Sequence, residues 1–197
     1  MCNVLCVTNS TLCREDFLTR IEKIARAHPA GILLREKDLS EEAYHLLAKT
    51  VLAICKRHNT PCILHSFVKA SKELGHSAIH LPLPILRSLS GEDKKAFTTL
   101  GSSCHSVADA IEAEKLGCTY ITAGHVFDTD CKKGLPGRGL NFLQRVCEST
   151  SVPVYAIGGI CAENITEVIG TGAKGVCVMS NAMTCESPQN YLAAFKE

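Results

Sequence analysis

The chain has 197 residues, 46% of them hydrophobic, and 21 Lys and Arg nearly balance 20 Asp and Glu for a net charge of +1. That length and apolar content suffice to bury a full core in one domain, while the balanced charge argues against a nucleic-acid binder, which carries a basic surplus on one face. No apolar run reaches the ~18 residues of a membrane span and the N-terminus lacks a secretory signal pattern, so a soluble cytoplasmic protein with no membrane or nucleic-acid partner is expected.

Short apolar runs alternate with segments of helical period. Residues 4–8 predict a first strand and 16–27 a first helix, with Phe17, Ile21, Ile24 and Ala25 on one face. Strand two covers 31–35. Ser40 then caps a second helix, with Glu41 and Glu42 in its first turn and Ala43, Leu46, Leu47, Val51 and Ile54 as its apolar stripe. Strand three is 61–65, followed by a short helix over 67–74 closed by Gly75. After strand four at 78–81, Pro82 and Pro84 interrupt any long helix, so the fourth is short and broken before 92–98. Strand five spans 99–104, and the Ser106 to Asp109 capping box opens a helix striped by Val107, Ala110, Ile111 and Leu116 and stopped by Gly117. Strand six at 120–123, helix 140–148, strand seven at 152–157, helix 162–169, strand eight at 175–179 and helix 188–195 complete the series.

Strands that do not alternate polar and apolar belong to a parallel sheet covered on both faces. Eight such βα units predict an α/β fold, a single compact (β/α)8 TIM barrel over 1–197. The rival open doubly wound sheet lacks its GxGxxG fingerprint after the first strand. The 12 cysteines form no CxxC pair, and Cys62 and Cys177 lie inside apolar runs, so they read as reduced thiols. Cys131, beside Lys132, reads as a neutral thiol lining a pocket.

In a barrel, chemistry collects where the strands end. Strand two delivers Arg35, Glu36 and Lys37; strand three His65 and Ser66; strand five Ser103, Cys104 and His105; strand six Gly124 and His125. Gly158 and Gly159 follow strand seven, and Ser180 and Asn181 follow strand eight. Together those two turns predict a phosphate cradle of backbone N–H groups. In TAGHVFDTDCKKGLPGRG (122–139), His125 stands behind an apolar run and ahead of lysines and glycines, as an acid/base group facing a phosphorylated small molecule does. His28, His45, His58 and His76 read as solvated or capping residues, His80 as a core histidine, and His65 and His105 as second-rank candidates. No HxxxH pair or acidic cluster accompanies them, so no metal site is expected.

The segments LREKD (34–38), GHVFDTDCKKG (124–134), AIGGI (156–160) and VCVMSNAM (176–183) resemble the thiamine phosphate synthase/TenI superfamily, in order and over almost the whole chain. For the synthase branch the resemblance implies pyrophosphate binding by Arg35 and Lys37, and magnesium held by two aspartates after strands three and four. Ser66 and Ile85 stand at those two positions, Leu33 replaces a usual glutamine, and the synthase GPxFPTxTKK loop becomes GHVFDTDCKK.

The histidine in that loop resembles the TenI branch, the thiazole tautomerases. This implies that a carboxylated dihydrothiazole ethyl phosphate is aromatised to the thiazole phosphate carboxylate by a proton shuttle, with no metal and no cofactor. His125 would be catalytic and Gly158, Gly159, Ser180 and Asn181 would hold the phosphate. Arg35, Lys37 or Lys132 would meet the carboxylate, with Thr129 and Ser103 as further substrate contacts. Asp128 replaces a usual proline and is expected to alter loop rigidity. A homodimer is expected, as often in this fold. Two alternatives stay open: a synthase with unconventional metal ligands, and a non-catalytic phosphate-ligand regulator.

Overall fold

Each expected strand forms within two residues of its predicted bounds. The computed structural model describes residues 2–195. Its strands are β1 (Asn3–Val7), β2 (Gly31–Leu34), β3 (Cys62–His65), β4 (Ala78–Pro82), β5 (Thr99–Cys104), β6 (Tyr120–Gly124), β7 (Val154–Ile157) and β8 (Gly175–Val178). They join in chain order into a closed barrel, with parallel pairing such as Leu33 to Ile63 and Ala123 to Ala156. Every residue of β2, β3, β6 and β8 is buried, which is why they read as continuous apolar runs.

The helices are α1 (Phe17–Arg26), α2 (Glu41–Arg57), α3 (Val68–Glu73), α4 (Leu83–Ser88), α5 (Gly91–Lys94), α6 (Val107–Lys115), α7 (Gly139–Glu148), α8 (Ile165–Gly170), α9 (Ser180–Thr184) and α10 (Pro188–Ala193). No helix among the described residues is long and apolar enough to cross a membrane. The caps at Ser40 and Ser106 form as expected, accepting from Ala43 N and Asp109 N.

Three helical expectations are corrected. The fourth helix is short and ends before the next, as expected, but Pro82 and Pro84 begin it: Pro82 is the N-cap of α4 and Pro84 lies in its first turn, where a missing N–H costs nothing. The segment 92–98 is helical only as far as Lys94, because Thr99 already belongs to β5 and the residues between must turn back to it. The buried face of α2 is Tyr44, Ala48, Val51, Ile54 and Cys55, leaving Ala43 exposed and Leu46 68% exposed. Tyr44 rotates that face inward because its hydroxyl is satisfied there, donating to Leu34 O at 2.8 Å and accepting from His65 N at 2.8 Å.

The chain divides into two compact units. One comprises Asn3–His80 and the chain from Val178 onward; the other comprises Leu81–Cys177 with Cys2. In the first, Ile21 and Ile24 of α1 pack in a core with Ile32, Leu34, Leu64 and Ile79. Phe67 stacks on Tyr44 at 4.0 Å, and buried Arg20 ties α1 to Cys185 O at 2.7 Å. In the second, Gly101 faces the Tyr120 ring so closely that a Cβ would overlap it, and Tyr120 meets Tyr155 edge-on at 5.8 Å. Arg87 of α4 grips Glu112 of α6 through two bonds of 2.6 and 2.7 Å.

Candidate active site

The second unit gathers His125 and the glycine turn. Gly124, at the end of β6, stands opposite Ile157 of β7, and a Cβ on it would overlap the Ile157 carbonyl oxygen. The chain continues along β7 after a cis Gly124–His125 peptide, with Val126 N donating to Ile157 O at 2.9 Å and Phe127 N to Gly158 O at 3.0 Å. Gly158 (φ +100°) and Gly159 (φ +66°) both adopt left-handed backbone. A Cβ on Gly158 would overlap that of His125, and one on Gly159 would lie 2.7 Å from Asp128 O. The Gly-Gly pair is therefore set by the close passage of the His125 loop. Among the described residues, neither glycine N–H donates to an acceptor, and Gly159 is exposed. Both N–H groups remain available to an anion.

His125 is half-buried, and its Nε2 lies 3.1 Å from Leu135 O. A carbonyl only accepts, so Nε2 carries the proton and Nδ1 of the neutral ring keeps the lone pair. The loop is held by its own backbone: Arg138 N donates to His125 O at 3.0 Å and Gly139 N to Val126 O at 2.9 Å. Asp128 in the proline position adds a tie, because its Oδ1 accepts from Gly137 N at 2.7 Å. Gly137 has no room for a side chain, since a Cβ would come 2.6 Å from Val126 O. Thr129 starts the 3-10 turn Asp130–Lys132, on which Cys131 and Lys132 are exposed.

Ser103 of β5 pairs in register with Thr122 and lines a cavity of about 250 Å³ with Pro82, Pro84, Arg87, His105 and Asp109. Sequence reasoning ranked His105 second, but its Nδ1 lies 2.9 Å from Gly124 O. Its strand-end position was the only signal.

Arg35, Lys37, Ser180 and Asn181 belong to the first unit. Buried Glu36 accepts from Thr8 Oγ1 at 2.6 Å, Ser10 Oγ at 2.6 Å and Ser10 N at 3.0 Å. Its oxygens are filled by these donors, and Arg35 N is held on Thr8 Oγ1 at 2.9 Å. Glu36→Ala strands all three donors, and a loss of about 3 kcal/mol is expected, read as a lower urea midpoint, with Glu36→Gln losing less. Arg35 is half-buried and Lys37 exposed; Ser180 and Asn181 form the first turn of the short helix α9, not an open turn.

His65 and His80 pair in register, with rings stacked at 5.8 Å, and Ser66 Oγ lies 2.8 Å from His65 Nδ1. Burial, then the Arg35 charge, lowers the His65 pKa from 6.5 to about 4; burial, then His65 and Arg35, holds His80 well below 6.5. Because the folded pKa lies below the unfolded one, this stability is complete above pH 6.5 and is lost as pH falls toward 4. The loss is about 3 kcal/mol for His65, and His80 acts in the same direction. Melting temperature is expected to fall over that range in the wild type and less steeply in His65→Asn; parallel profiles would refute the assignment.

A family model described as thiamine monophosphate synthase (TMP-TENI) matches residues 4–182. The chain belongs to this family. It is 32% identical to thiamine-phosphate synthase 2 of Streptococcus pneumoniae serotype 4, over 92% of this chain and 87% of the relative. It is 33% identical to a thiamine-phosphate synthase of Enterococcus faecalis, over 87% and 81%. Thiamine phosphate pyrophosphorylase from Pyrococcus furiosus shares the fold with a TM-score of 0.83 at 24% identity, covering 98% of this chain and 93% of that one. Membership places this chain among thiamine biosynthesis enzymes.

The synthase branch of the family raises the question of magnesium, a hard cation that takes one or two carboxylates. At the two expected carboxylate positions this chain has Ser66, directly after β3, and Ile85, within α4. Among the described residues no three His, Cys, Asp or Glu side chains gather to hold a metal ion, and the buried Glu36 carboxylate is filled by Thr8 and Ser10. The residues present do not fit that ion.

Proposed function

We propose that this family member is a thiazole tautomerase acting on a carboxylated dihydrothiazole that bears an ethyl phosphate. The observation that carries this reading is the His125 ring, whose Nε2–H is engaged by Leu135 O, leaving Nδ1 as a base beside a glycine turn with two undonated N–H groups. Nδ1 takes the ring proton from the carbon that bears the carboxylate. The electron pair moves through the ring toward the exocyclic alkene, and the protonated imidazole returns the proton to the exocyclic carbon. The sum is an isomerisation with no net gain or loss of atoms or electrons, driven by aromatisation.

In this reading Gly158 and Gly159 N–H groups bind the phosphate. Ser103, Thr129 and Lys132 are further substrate contacts from the same unit. Arg35 and Lys37 are proposed for the carboxylate, and Ser180 and Asn181 for the phosphate.

The names of the relatives favour a second reading, the transferase that joins thiazole phosphate to hydroxymethylpyrimidine pyrophosphate. The two are separated by assay. The tautomerase reading expects the dihydrothiazole to become aromatic at an undiminished rate in a chelator. No conversion, together with magnesium-dependent pyrophosphate release from the coupling substrates, would establish the transferase instead.

A further inference from the structure

We infer that His105 is a positioning residue for His125, acting through the Gly124 carbonyl. The inference rests on the proton-shuttle reading of His125. β5 ends at Cys104, and the next residue turns its backbone N–H away, to Asp109 Oδ2 at 2.7 Å. Its ring turns the other way and reaches across to β6, with Nδ1 2.9 Å from Gly124 O. A carbonyl only accepts, so Nδ1 carries the proton and donates it.

Gly124 O belongs to the peptide that carries the His125 nitrogen. On the β7 side the same stretch is pinned by Val126 N on Ile157 O at 2.9 Å, and Gly124 packs so closely on Ile157 that a Cβ would overlap its carbonyl oxygen. The base of the His125 side chain is therefore clamped from both neighbouring strands, by backbone on one side and by one imidazole on the other. Among the described residues the far end of the His125 ring has a single tie, Nε2 to Leu135 O at 3.1 Å. Releasing the His105 clamp lets the peptide rock and the ring leave that tie, which misplaces Nδ1 without removing it. Misplacement of about 1 Å at a reacting atom costs as much as 100-fold in rate.

The test compares three variants in the intact chain. His105→Leu removes the donor and is expected to lower kcat by about 10- to 100-fold with KM changed less than about threefold. In His105→Asn the amide Nδ2 stands where the imidazole Nδ1 stood, so kcat is expected to return to within about threefold of the wild type. His105→Gln carries its donor one bond further out and is expected to stay with the leucine variant. All three keep the backbone N–H on Asp109, so a role confined to that cap would treat them alike.

An activity-free reading comes from 15N-histidine NMR. The His125 ring is expected to show the Nε2-protonated tautomer in the wild type and His105→Asn, and a mixture of tautomers in His105→Leu. The inference is overturned if the asparagine variant is no better than the leucine one, or if the leucine variant leaves the His125 signals unchanged. Full turnover by a His125→Gln enzyme would instead remove the proton-shuttle reading, while the NMR comparison would still decide whether His105 holds the ring.

Discussion

His125→Gln is expected to lower turnover of the dihydrothiazole by about 100-fold or more, the usual scale for losing a general acid/base. Glutamine is the informative replacement because its Nε2 donates much as the imidazole Nε2 does, so the bond to Leu135 O survives. What disappears is Nδ1, the only basic nitrogen. The loop ties from Arg138, Gly139 and Gly137 involve backbone and Asp128, so they persist as well. The variant should accordingly bind substrate with nearly unchanged KM and melt with the wild type, an effect confined to kcat. Turnover within about threefold of the wild type would take His125 out of the mechanism.

Gly124→Ala is expected to cost about 3 kcal/mol, or roughly 6 to 12 °C in melting temperature. The new methyl group would overlap the Ile157 carbonyl oxygen and lie 2.7 Å from Ile157 Cγ2. The obstacle is backbone in a paired strand, so it gives way only by breaking the β6–β7 ladder under His125. Gly170→Ala is the control: its Cβ meets nothing within 4 Å, and its stability should change little. Calorimetry on the two variants checks the contrast, and equal melting temperatures would show that the β6–β7 corner yields more readily than its contacts imply.

Much of the fold was legible because burial leaves a one-dimensional trace. Strands covered on both faces must be apolar throughout, so β2, β3, β6 and β8 stood out as runs. The errors fell where one residue admits two uses. Pro84 was read as a helix breaker and serves as a helix start; Leu46 was read as core and is exposed because Tyr44, with both its hydroxyl bonds satisfied, takes the buried face. Asp128, expected to alter loop rigidity in the place of a proline, accepts a hydrogen bond from Gly137 N nine residues on.

For the site, the sequence alone determined the chemistry available: a histidine after the sixth strand, glycines after the seventh, and no carboxylates at Ser66 and Ile85. The first two are properties of residue type and strand order, which the βα period makes readable; the third is what the resemblance to the synthase branch implies. Only the tertiary structure decided what those groups can do. Which His125 nitrogen keeps its lone pair depends on Leu135 O, and the need for Gly158 and Gly159 depends on how closely the His125 loop passes them. The link from His105 to Gly124 joins residues 19 apart on neighbouring strands. Hydrogen-bond direction and steric approach are fixed by atoms brought together in folding, and no spacing along the chain encodes them.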